Sequence, residues 1–181
     1  MSQLKNTRVL TICALILALS AILGMFKIPI TSLIEIRLGS LPLAVAGSLF
    51  GPVIGGIIGG LSDILAFIVK PTGPFFPGFT LSTVLTGIIF GLILKPKNNR
   101  VSFFKVLLAQ LLNAVFVGLI FNTLNLYILY GDPATGGISG YFAFMLTRLP
   151  MEVIMYPINC LLITAIIKEV YLIKNKANFT N

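Results

Sequence analysis

Apolar residues run along the chain in six blocks, separated by short stretches where prolines, glycines and charged residues gather. The blocks predict helices over about 8–27, 41–50, 53–69, 79–94, 103–130 and 141–173. Between the first two, positions 29–40 are more polar and carry Glu35 and Arg37; "SLIEIRLGS" alternates apolar and polar side chains, the period of a short extended piece at the surface. Gly51–Pro52 breaks the second block from the third, and proline suits the first turn of the helix that follows. Pro150 and Pro157 fall inside the last block and predict kinks. The connection "KPTGPFFPGFTLS", Lys70 to Ser82, packs three prolines, two glycines and three phenylalanines between two apolar blocks, an odd content for a segment that only reverses the chain.

Composition says what these blocks are. The chain has 181 residues, 57% hydrophobic and 10% charged, and a mean hydropathy of +1.03. A soluble domain carries about 25% charged residues, so the reading is an all-α integral membrane protein, one transmembrane bundle over 1–181. At about 20 residues per crossing the length allows six or seven spans and no soluble enzymatic domain. "ALSA" at 18–21 resembles a signal-peptidase site, but the apolar run continues to Phe26, and a retained first helix is expected.

The net charge of +8 is distributed as a membrane protein distributes it. Lys5 and Arg8 precede the first apolar run, Lys95, Lys97, Arg100 and Lys105 share one loop, and Lys168, Lys174 and Lys176 stand at the end. These are the clusters of the positive-inside rule. They put both termini in the cytoplasm and leave 28–40, 70–78 and 131–140 on the outer face, and they argue against nucleic-acid binding. The absence of histidine excludes histidine metal sites and Ser–His catalysis. No GxxxxGK[ST] is present, so ATP is not hydrolysed through a P-loop, and neither an enzyme nor a bound cofactor is expected. Cys13 and Cys160 read as apolar packing.

Three constellations remain. Small residues four apart, Ala14 and Ala18, then Gly51, Gly55 and Gly59 with Gly56 and Gly60 beside them, then Gly87 and Gly91, let helix backbones approach in lipid. Internal packing is the plainer reading of the glycines; docking of another membrane protein is the sharper one. Polar groups inside spans form the second set: Asp63, the Arg148–Glu152 pair four apart, and Asn122 and Asn125. An ionisable residue at helix centre costs about 2.5–3.5 kcal/mol on insertion scales, so each faces the interior, a cavity or a partner. An ion pair of Arg148 with Asp63 or Glu152 that fixes helix register is one account; a solute pocket is the other. The third is the aromatic loop, where Phe75, Phe76 and Phe79 either anchor in lipid or flank a flat ligand. Thr80 or Ser82 is expected to cap the fourth helix, whose N-terminus favours an anion.

These residues resemble a known family. A basic first helix with AxxxA, "RLGSLPLAVAGSLFGPVIGGIIGGLSDIL" and "PTGPFFPGFTLSTVLTGIIFGLIL" are similar to the substrate-binding S components of energy-coupling factor (ECF) vitamin transporters, closest to the folate-specific branch. The likeness is specific over 37–94 and looser in the last two helices. It implies the six-transmembrane-helix S-component fold, with the first loop partly extended over the outer face and the vitamin captured beneath it. It implies a bacterial plasma membrane and docking through Ala14 and Ala18 on a transmembrane coupling subunit. Two cytoplasmic ATPases would supply energy, and the component would topple to release its cargo. For folate, Asp63 or Glu152 would match the pterin's amino–ring-NH edge, and Arg37, Lys70 or the fourth helix N-terminus would meet the glutamate. Phe75, Phe76 and Phe79 would flank the rings, and Thr80, Asn122, Asn125 and Arg148 complete the candidate set. An S component for riboflavin or thiamine, a small proton-coupled secondary transporter working through Asp63 or Glu152, and a purely structural membrane protein are the competing readings.

Overall fold

The computed structural model describes residues 7–25, 27–29, 35–71, 74–95, 101–131 and 137–178, with side chains left out at 27–29, 35–37 and 174–178. The elements are α1 (Thr7–Met25), β1 (Lys27–Pro29), β2 (Glu35–Arg37), α2 (Ser40–Phe50), α3 (Pro52–Val69) and α4 (Pro77–Leu94), followed by α5 (Phe103–Leu112), a π-helical segment (Asn113–Asn122), α6 (Thr123–Tyr130) and α7 (Gly137–Asn178). α5, the π segment and α6 form one continuous rod. The two strands pair antiparallel, with Ile28 opposite Ile36.

Among the described residues, five helices are long and apolar enough to cross a membrane: Thr7–Met25, Pro52–Val69, Pro77–Leu94, Phe103–Tyr130 and Gly137–Ile173. Each turns large apolar side chains outward, among them Leu15, Val53, Leu92, Phe116 and Leu161. In water such a surface would be a liability; in lipid it is the solvated face.

α2 behaves differently. Its 11 residues span about 17 Å at 1.5 Å per residue, well short of a hydrocarbon core. Every residue from Leu41 to Ser48 is buried by protein, as expected of a helix that is apolar all round. α2 ends at Gly51, whose φ of 89° is a left-handed conformation that suits glycine, and Pro52 opens α3 at once.

The glycines explain how α2, α3 and α4 come together. A Cβ on Gly55 would strike the main chain of Gly87, and one on Gly87 would strike that of Gly55. Gly59 meets Thr83, and Gly47 of α2 meets Gly91, in the same way. Backbones thus touch without side chains between them, which in lipid replaces the missing hydrophobic drive with close van der Waals contact. Internal packing is therefore what these repeats do.

The apolar core lies at one end of the bundle. Leu43, Ala44, Ile54, Ile58, Phe90, Leu94, Val106, Ala109, Ile163 and Ile167 pack together there. Tyr171 closes it, its hydroxyl donating to the Ser48 carbonyl at 2.9 Å. α7 runs unbroken through Pro150 and Pro157, and both rings are exposed at its surface. The other end of the bundle is hollow.

Candidate functional site

A cavity of about 430 Å³ opens between α1, α2, α3, α4, α5, the π segment, α6 and α7, within the ~300–1,000 Å³ usual for small-molecule sites. Gly24, Lys70, Pro74, Phe75 and Tyr130 line it and are exposed, so they mark the mouth. Ser62, Ser82, Thr86, Gln110, Met155 and Asn159 line it and are buried, and Gln110 and Asn159, which adjoin the core residues Ala109 and Ile163 along their helices, mark the closed end.

The aromatic loop forms one wall. Its helix begins earlier than the phenylalanine pattern suggests: Pro77 takes the first helical turn, as its fixed φ allows. This corrects the expected cap. Thr80 and Ser82 sit inside α4, and no side chain caps its start. The Thr80 hydroxyl instead donates to Asp63 Oδ2 at 2.7 Å, and the Ser82 hydroxyl donates to the Gly78 carbonyl at 3.0 Å. Phe79 is half-buried and packs edge-on against Phe76, ring centres 5.9 Å apart. Phe75, at the rim, packs edge-on against Phe67 at 5.1 Å.

Polar groups line the cavity as well. Asp63 lines the cavity from α3, oriented by Thr80, which lies behind it and off the lining. Arg148 and Glu152, one turn apart on α7, both line it, as do Lys70 and Asn122. Glu152 reaches inward because the π segment presents Gly118 to it: a Cβ there would stand 2.7 Å from Glu152 Oε1. A π stretch inside an α-helix often marks a working site; here its widened turn brings Asn113, Val117, Gly118 and Asn122 to the cavity.

Two expected residues stand apart. Asn125 is buried off the lining, and its amide donates to Ser82 Oγ at 3.2 Å, tying α6 to α4. Arg37 belongs to β2, and its side chain lies outside the described residues. Residues 30–34, 72 and 73 lie outside them as well. Ala14 and Ala18 are exposed on α1 and do not line the cavity.

The carboxamides at the closed end were not anticipated. Asn113 accepts a hydrogen bond from the Thr86 hydroxyl at 2.8 Å, and Gln110 and Asn159 line the cavity nearby. Their signal was available, since an amide inside an apolar span needs a partner as Asn122 does.

A lipid-facing helical bundle that encloses a cavity with one aromatic wall and several inward polar groups defines a membrane-embedded small-molecule-binding protein. The chain belongs to the family of ECF transporter substrate-specific components, whose family model matches residues 8–167. It is 36% identical over 160 residues to the folate transporter FolT of Clostridium novyi (strain NT), covering 88% of each chain. It is 22% identical over 154 residues to the folate transporter FolT of Leuconostoc mesenteroides subsp. mesenteroides, covering 85% of this chain and 81% of that one. Its fold matches a crystal structure of FolT bound with folic acid, with a TM-score of 0.78 and 26% identity, over 92% of this chain and 98% of that one.

Proposed function

We propose that this protein captures folate at the outer face of a bacterial plasma membrane, as the substrate-specificity subunit of an ECF importer. The observation that carries the reading is the fold match to FolT with folic acid along almost the whole chain, over a cavity whose chemistry suits a flat ring with an anionic tail. Phe79 and Phe76 offer faces and edges to the pterin and its neighbouring ring. Asp63 or Glu152 receives the ring's amino edge, and Arg37, Lys70 or the N-terminus of α4 meets the glutamate. Thr80 acts through Asp63, Asn122 and Arg148 complete the polar lining, and Asn125 serves by holding α6 on α4.

In this reading α2 is the sixth membrane helix, the loop carrying β1 and β2 lies over the outer mouth, and both termini are cytoplasmic. The exposed Ala14 and Ala18 of α1 form the seat of a transmembrane coupling subunit, and two cytoplasmic ATPases provide the energy. The subunit itself binds and does not catalyse. Small molecules that co-purify with the protein, identified by absorbance and mass spectrometry, test this directly. Recovery of folate is expected; recovery of riboflavin or thiamine in its place would overturn the assignment. Uptake that survives loss of the ATPases and collapses with a protonophore would overturn the coupling.

A further inference from the structure

Two acceptor atoms at the closed end of the cavity lack what buried acceptors ordinarily have. Gln110 Oε1 and Asn159 Oδ1 are out of contact with solvent and have no hydrogen-bond partner among the described residues. The residues are 3% and 8% exposed, yet both line the cavity. Buried polar groups are almost always paired, and each exception calls for a cause. Thr123 Oγ1 is also unpaired but stands off the cavity, so it marks no ligand contact.

The two amides come from opposite sides of one helix interface. Gln110 is on α5 and Asn159 on α7, and these helices are joined close by, where the Tyr156 hydroxyl donates to the Leu107 carbonyl at 3.2 Å. That tie fixes the spacing of the two helices independently of any ligand. No charged side chain is needed at this level: the Asp, Glu, Arg and Lys of the lining are Asp63, Glu152, Arg148 and Lys70, and Thr86 and Asn113 beside the amides are neutral.

We propose that Gln110 and Asn159 form a neutral hydrogen-bonding subsite that takes N–H donors from a flat heteroaromatic ring and sets the selectivity for it. The subsite rests on the folate reading above and names which atoms discriminate. A pterin edge presents three N–H hydrogens, two on its amino group and one on the ring; a carboxylate that grips it side-on takes two and leaves an amino hydrogen for the amides. Oxygens already desolvated and held by helices reject a ring without those donors, because the unpaired acceptors then stay unpaired.

The test is calorimetric titration of the purified, solitary protein. Folate and an analogue with methyl in place of the ring amino group are each titrated into wild type, Gln110→Leu and Asn159→Leu. Wild type is expected to bind folate and to lose about tenfold or more against the analogue. Each leucine variant is expected to lose about tenfold for folate. At least one of them should show a much smaller gap between the two ligands. Leucine variants that bind folate like wild type would overturn the subsite while leaving the folate reading standing. A loss equal for both ligands in both variants would make the amides structural and also overturn it. Failure of wild type to bind folate at all would overturn both. Should a leucine variant not fold, wild type alone still decides against the proposal if it binds the analogue as well as folate.

Discussion

Gly118 and Glu152 meet so closely that the glycine could not carry even a methyl group without displacing the carboxylate, since a Cβ would lie 2.7 Å from Oε1 and 2.8 Å from Cδ. The wall formed by the π segment and the wall formed by α7 are fitted to one another at this point. Gly118→Ala should therefore push Glu152 from its place and weaken folate binding by about tenfold, or ~1.4 kcal/mol. Titration of the purified variant, with helix content followed by circular dichroism, checks this; unchanged affinity would show that Glu152 is not used.

Asp63→Asn keeps the shape and can still accept from Thr80, but loses the charge that a ring amino edge favours. A loss of at least about tenfold in folate affinity is expected. Thr80→Val removes only the bond that orients the carboxylate, and a smaller loss, about severalfold, should follow. Equal affinity in Asp63→Asn and wild type would remove Asp63 from the site.

The phenylalanines should separate by position. Phe79, half-buried in the lining, is expected to cost about tenfold in affinity when truncated to alanine. Phe75, exposed at the rim against Phe67, should cost much less. The reverse order would move the aromatic wall to the mouth.

The two small-residue faces should respond differently. Ala14→Trp combined with Ala18→Trp is expected to abolish uptake in cells while the purified protein still binds folate, because both positions are exposed and off the cavity lining. Loss of binding would make that face part of the fold.

Among the glycines, Gly55→Ala should lower the melting temperature in detergent more than Gly60→Ala. The first methyl would meet the Gly87 main chain, which cannot step aside, whereas the second meets the tip of the Val84 side chain. Overpacking of this kind costs about 1–3 kcal/mol, and a larger effect at Gly60 would contradict the packing described.

Much of the fold was legible because the membrane imposes a simple rule: long apolar runs become helices, and Gly51–Pro52 tells where one stops and the next starts. The site was legible where charge made it conspicuous, as at Asp63, Arg148 and Glu152. It was obscure where polarity was quiet. Asn122 and Asn125 look alike in sequence, yet one lines the cavity and the other ties α6 to α4. The π segment widens the turn, so the ordinary helical period misassigns faces there. Gln110 and Asn159 stand alone in apolar runs, and only the three-dimensional placement reveals that their oxygens are unpaired. Thr80 reads as a cap until Pro77 is seen to open the helix a turn early.

The enclosure of α2 has one more effect. A membrane helix shorter than the hydrocarbon layer ordinarily strains the bilayer around it, and the strain grows as the bilayer thickens. From Leu41 to Ser48 α2 is covered by protein, so, with α2 taken as the sixth membrane helix as proposed above, its short length does not meet the lipid. The five outer helices alone set how the protein fits a thin or a thick bilayer. The region where α2 meets the cavity, at Ser40 and Leu43, is thereby insulated from changes in lipid composition that the outer surface must absorb.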